Sequence, residues 1–141
     1  MSKYKSPLSP RVKHMVEWQL EHYWQDKRNI EQYWADAIPS PTQKYTEGSG
    51  SGTVSREAES TALRIATSPY ITQTERSIKA IECVLGAVES VDRKLIDLIY
   101  WKQAYTVEGA AQAVNLGTVT AYRHINKVLH NIALEMGYIS I

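Results

Sequence analysis

Apolar residues recur along most of this chain at intervals of three, four or seven, the spacing that lines one side of an α-helix. The first run follows Ser9-Pro10, a capping serine and then a proline suited to a first turn. It passes through Val12, Val16, Leu20, Tyr23, Ile30, Trp34 and Ile38, while Trp18, Trp24 and Tyr33 thicken its apolar side. The pattern predicts one long amphipathic helix, stopped by Pro39 and Pro41. Such a helix must bury its stripe against the rest of the chain or against a second copy. A partner helix, and hence a homodimer, is the expectation carried forward.

The periodicity then lapses. "PSPTQKYTEGSGSGTV", Pro39 to Val54, is rich in Gly, Ser, Pro and Thr and has little to bury. It reads as a flexible linker between an N-terminal helix (1–38) and a C-terminal domain (55–141). Beyond it, Ser55 is placed to cap a helix, with Glu57 and Glu59 near the positive end and Ala58, Ala62, Leu63, Ile65 and Ala66 as its apolar side. Ser68-Pro69 breaks that helix. Ile71 to Val88 reads as the next, with Ile78, Ile81, Leu85 and Val88 inward. Ser90 is expected to cap a helix from Val91 to about Lys102, with Leu95, Ile96, Leu98, Ile99 and Trp101 as core. Thr106 caps a short helix, Val107 to Val114. Thr118 opens the last one, which runs to about Met136 before Gly137 ends it. No segment reads as a strand, so the predicted fold class is all-α.

Composition narrows the function classes. The chain has 141 residues, 43% of them hydrophobic, and no apolar run long enough to cross a bilayer. Its start, "MSKYKSPLSPRVKH", lacks the apolar stretch of a signal peptide, so a cytoplasmic protein with no membrane partner is expected. The single cysteine, Cys83, has no internal disulfide partner, and its neighbours Ile78, Leu85 and Val88 predict a buried thiol. No zinc-ligand spacing, Gly-rich phosphate loop or nucleophile–base arrangement is visible, so no metal, cofactor or catalytic role is expected. His124 and His130 read as surface residues, and Arg93 and Lys94 beside Asp92 as a solvated helix start. The formal charge of +1 does not announce a nucleic-acid binder, although a compact helical reader can work with a local basic patch.

The chemistry concentrates in "AAQAVNLGTVTAYRHINKVL", Ala110 to Leu129. The short helix offers a narrow face of small residues, Ala110 and Ala111 with Val107 and Val114, which lets a second helix cross closely. Leu116 fills the corner and Gly117 is expected to give the turn its freedom. The second helix turns Ala121, Ile125, Val128, Leu129 and Ile132 inward. Left outward near its start are Thr118, Val119, Thr120, Tyr122, Arg123, Asn126 and Lys127. This is the layout of a helix-turn-helix whose second helix enters the major groove of double-stranded DNA. Arg123 can donate twice to guanine or reach phosphate, and Asn126 can pair with adenine. Thr118 and Thr120 suit phosphates beside the helix start, Tyr122 a thymine methyl or a phosphate, and Lys127 a phosphate. Lys102 and Gln103 are placed to grip the backbone from the side.

From Ala80 to Ile132 the chain resembles region four of bacterial sigma factors. The shape is carried by "SVDRKLIDLIYWKQAYTVEGAAQAVNLGTVTAYRHINKVLHNI", with Arg93 near the start and Tyr100 near the end of the helix before the motif. It is more closely similar to phage late-gene transcription activators of the RinA and ArpU type. The shared features are Thr120-Ala121-Tyr122-Arg123 in the recognition helix, the apolar-basic alternation from Ile125 to Leu129, and the Leu134-Glu135-Met136-Gly137 end. The overall plan of amphipathic helix, Gly/Ser-rich gap and sigma-like half is also similar. The resemblance implies a DNA-binding activator of phage late genes in a bacterial host cell, working with host RNA polymerase. Gly117 departs from the pattern, standing where sigma-like proteins usually place a capping serine. Two other roles fit the same residues: the small terminase subunit of phage packaging, and a sigma-like protein-interaction module that does not touch DNA.

Overall fold

Residue types at the helix ends explain most of the architecture in the computed structural model, which describes residues 6–37, 60 and 63–140. All regular elements among these are helical. Helix α1 spans Pro10–Glu21, with Ser9 Oγ accepting from Val12 N at 3.3 Å and Pro10 in the first turn. Helix α2 spans Tyr23–Ala37. A short helical segment covers 63–67, and α3 runs from Pro69 to Ala87 after Ser68, whose carbonyl accepts from Thr72 N. Helix α4, Ser90–Ile96, passes directly into a π-helical turn, Asp97–Trp101. Helix α5, Val107–Ala113, and helix α6, Thr118–Met136, complete the chain.

The expected single N-terminal helix is interrupted at His22, where φ is −95° and ψ is 2°. Its backbone N–H and its ring Nδ1 both lie on the Trp18 carbonyl, at 3.1 and 2.8 Å, and the ring stacks on Trp18 with centroids 3.9 Å apart. The ring contact accompanies the interruption. The proline stops at Pro39 and Pro41, the linker, and the capping group Ser55, Glu57, Ala58, Glu59 and Ala62 lie outside the described residues. Leu63 is 65% exposed and Ala66 is also exposed, so the apolar side expected there does not bury.

The described residues fall into two units, 6–23 with 77–140, and 24–37 with 60 and 63–76. In the smaller one, Ile30, Ala37 and Ile71 are buried, Trp34 Nε1 donates to Glu75 Oε2 at 3.4 Å, and Tyr33 meets Tyr70 edge-on. Trp24 and Tyr33, like Trp18 in the larger unit, stay about half exposed rather than thickening a core.

The larger unit is organised around α6. Ala121, Ile125, Val128, Leu129, Ile132, Ala133 and Met136 are buried along it, and α1, α4 and α5 all pack against it. Helix α1 therefore buries Val16 and Leu20 within its own chain. Polar ties accompany this packing. Tyr100 donates to Glu17 Oε2 at 2.7 Å, Trp101 Nε1 to the Leu20 carbonyl at 3.1 Å, and Tyr23 to Glu82 Oε2 at 2.6 Å. Burial first, then the Glu17 bond and the nearby carboxylates, holds the Tyr100 hydroxyl far above its ordinary value, so it stays a donor. The π turn serves these ties. One extra residue per turn (Lys102 N to Asp97 O, 2.8 Å) allows the consecutive residues Tyr100 and Trp101 both to bond α1.

Three further expectations change. Ser90 is the first helical residue rather than the cap, a place taken by Glu89 without a side-chain bond. Trp101 and Ile99 are half-buried, because the π turn rotates them off the core. Cys83 is exposed, since on a 3.6-residue period it lies nearly opposite Ile81, whose side of α3 carries Ile78, Val84 and Leu85 inward. Tyr100→Phe should cost about 1–3 kcal/mol, as the Glu17 carboxylate loses its donor in a partly buried setting; chemical unfolding followed by far-UV circular dichroism measures it.

Candidate nucleic-acid interface

The motif at α5 and α6 is built by two local devices. Thr106 Oγ1 accepts from Gly109 N at 3.1 Å and caps α5. At the other end, Leu116 N donates to Ala111 O at 2.8 Å and Asn115 N to Gln112 O at 3.2 Å, the paired bonds of a Schellman ending. The left-handed residue of that ending is Asn115, with φ of 60°, and not Gly117, whose φ of −67° suits any residue. Asparagine tolerates this conformation better than other side chains because its short amide bonds locally. Ala110, Ala111 and Ala121 are essentially fully buried, and these small residues let the two helices cross closely. Leu116 is half-buried in the corner.

Gly117 stands at the N-cap of α6 and supplies no side-chain bond. A Cβ built there would meet only Thr120 Oγ1, at an ordinary 3.9 Å, so a capping serine fits the space.

The predicted DNA-facing residues divide into four groups. Thr120, Arg123 and Lys127 are exposed and share one side of α6 by their spacing. Neither Arg123 nor Lys127 has a hydrogen bond or ion pair among the described residues. Thr118 and Tyr122 are half-buried, and Tyr122 donates its hydroxyl to Glu108 Oε1 at 2.8 Å. Asn126 does not belong to the outward side: it is 9% exposed, on the edge of the buried sector next to Ala133. Three elements pack on α6, and they cover a wider sector than one partner helix would. Lys102 is exposed but its ammonium lies 3.2 Å from Asp97 Oδ2, and Gln103 beside it is exposed with φ of 51°. Exposed Val119 adds an apolar contact surface in the first turn.

Other groups around the motif have defined partners. Arg93, expected in solvent, donates Nη1 to the Leu85 and Val88 carbonyls at 3.1 and 2.7 Å and so closes the end of α3. His124 is partly buried and paired through Nδ1 with Asp92 Oδ1, a link from α6 to the first turn of α4. His130 is half-buried, and its Nδ1 has no hydrogen-bond partner among the described residues. Beside this face, α3 and α6 border a groove of about 610 Å3 lined by Cys83, Val84, Ala87, Val128 and Leu134, with Arg123 and Lys127 on its wall. Among the described residues, no group of three or more His, Cys, Asp or Glu is placed to hold a metal. No described helix is long and apolar enough to cross a membrane.

The Glu108 carboxyl is held below its usual range, first by the Tyr122 hydroxyl and then by backbone and Thr106 bonds. A carboxylate lowered in this way contributes its stability above the ordinary glutamate value of about 4.3 and loses it as pH falls through the folded value. The Glu108–Tyr122 tie is therefore in place across the neutral range.

No protein-family model, curated protein or solved structure matches this chain.

Gly117→Ser should raise stability by a few tenths of a kcal/mol through the missing cap, read as a higher denaturation midpoint. Asn115→Val should cost about 1–2 kcal/mol because a β-branched residue resists positive φ, whereas Asn115→Gly should leave the midpoint unchanged or higher. If valine is tolerated as well as glycine, the Schellman ending described here is not the one the protein uses.

Proposed function

We propose that this protein is a sequence-specific regulator of transcription that binds double-stranded DNA through the first turns of α6. The observation that carries the reading is the pair of unpartnered cations, Arg123 and Lys127, aligned with exposed Thr120 on the side of α6 opposite its buried stripe. Arg123 then reads or anchors at the groove, Thr120 and Thr118 approach phosphates near the helix start, and Lys127 holds a phosphate further along. Tyr122 has its hydroxyl engaged by Glu108, which leaves the ring for a thymine methyl. Asn126, being buried, is assigned to the core and not to adenine recognition.

The resemblance to phage late-gene activators of the RinA and ArpU type makes activation of late genes, with contact to host RNA polymerase, the regulatory role we favour. A formal charge of +1 and two exposed cations on α6, Arg123 and Lys127, imply modest, salt-sensitive affinity for one copy. Two copies on adjacent half-sites, or help from polymerase, supply the rest. Since α1 packs within its own chain, a homodimer would form through other surfaces, among them the one bearing half-exposed Tyr33 and Tyr70. The groove beside Arg123 favours one second reading, a sigma-like module that binds a protein segment and not DNA.

Binding of the full chain to fragments of its own phage or prophage genome, at two salt concentrations, tests the choice. A specific fragment whose binding weakens steeply with salt is expected, and no binding at either salt would leave the interaction module. On such a fragment Arg123→Ala should lose about 1–3 kcal/mol and relax sequence preference. Lys127→Ala should weaken all sequences alike and lower the salt slope by about 1. Asn126→Ala should lower thermal stability and leave the sequence preference unaltered.

A further inference from the structure

Glu108 is an acid on the same helix-turn-helix as the cations Arg123 and Lys127. It belongs to the first turn of α5, is exposed, and has no cation bound to it among the described residues. Tyr122 fixes its position: the hydroxyl donates to Glu108 Oε1 at 2.8 Å, and Tyr122 directly precedes Arg123 in α6. The carboxylate is thus held at a constant offset from the cations on the same motif.

We propose that Glu108 is a specificity-determining residue that weakens binding to DNA of the wrong sequence; the inference rests on the DNA-binding reading above. Non-specific complexes owe nearly all of their affinity to phosphate attraction and sample many registers along the duplex. Some of those registers bring a phosphate close to the fixed carboxylate. One like-charge contact at roughly 6 Å in water weakens binding about threefold, and two such contacts about tenfold. On this proposal the contacts of Arg123 select one register in the seated complex, one in which the carboxylate that Tyr122 ties stays clear of the phosphates. The penalty therefore falls mainly on wrong sequences. The same hydrogen bond that positions Glu108 also lowers its carboxyl, which is ionised across the neutral range as an exposed glutamate is.

The test uses the full chain, its Glu108→Gln and Glu108→Lys variants, and two duplex probes: an unselected random-sequence pool, and a duplex enriched from that pool by the wild-type protein. Anisotropy titrations are run at low and high salt, with circular dichroism melts confirming that each variant folds. On unselected DNA at low salt, Glu108→Gln should bind about three- to tenfold tighter than wild type, and Glu108→Lys tighter still. The enriched duplex should gain less, so the specificity ratio falls in the order wild type, Gln, Lys. The differences should shrink at 1 M salt, where screening acts within about 3 Å. Equal gains on both probes, or no gain on unselected DNA, would overturn the inference while leaving the DNA reading intact. A wild-type protein that binds neither probe would overturn both.

Discussion

Everything in the larger unit depends on how much of α6 is covered. Val128, Leu129 and Ile132 are nearly inaccessible, and burying side chains of this kind is worth about 1.5–3 kcal/mol each. Three elements from different parts of the chain, α1, α4 and α5, share that surface. What they leave uncovered is the strip bearing Thr120, Arg123 and Lys127. The candidate interface is thus the complement of the core on one helix. Widening the core by one residue consumes interface, as Asn126 illustrates.

Polar groups at the edge of this packing hold its geometry. Tyr100 and Trp101, brought side by side by the π turn, bind the N-terminal helix at two points. Arg93 closes the end of α3, and Asp92 ties the following helix to His124 on α6. Each bond is modest in net terms, near 1 kcal/mol, but each lies where a helix end or a crossing would otherwise be free to shift. The candidate interface inherits its rigidity from these ties.

Much of this was legible in the residues, and the exceptions have physical causes. Thr106 as a cap, Gly137 as a terminator and the inward series from Ala121 to Ile132 follow from local rules, and the structure has all three. The boundaries of α5 and α6 likewise follow from capping and period, whereas α3 starts two residues before the expected Ile71, with Pro69 in its first turn rather than in the break. Cys83 looked buried because its apolar neighbours are near in sequence, yet on the helix they face the other way. Asn126 looked outward because a single partner helix was assumed. The π turn and the interruption at His22 go with contacts of Trp101 and Trp18 that no propensity encodes. The Glu108–Tyr122 bond joins residues fourteen apart and exists only once α5 and α6 have crossed. Asn115 is the instructive case, since an asparagine just past the end of a short helix could have been read as the left-handed position from the start.

The composition of the larger unit from residues 6–23 and 77–140 has a consequence for how the protein is made. During synthesis α1 emerges first, and the helix that buries Val16 and Leu20 emerges roughly a hundred residues later, a delay of about 5–20 seconds at ordinary elongation rates. Through that interval the first helix carries an uncovered apolar stripe on the ribosome's surface. The closing of the unit therefore waits for α6 to emerge. The same arrangement makes the intervening stretch thermodynamically cheap to lengthen, because doubling a closed segment costs only about 0.6 kcal/mol. Variation in the length of 24–76 is where such a protein can change without disturbing α6 and the elements packed on it.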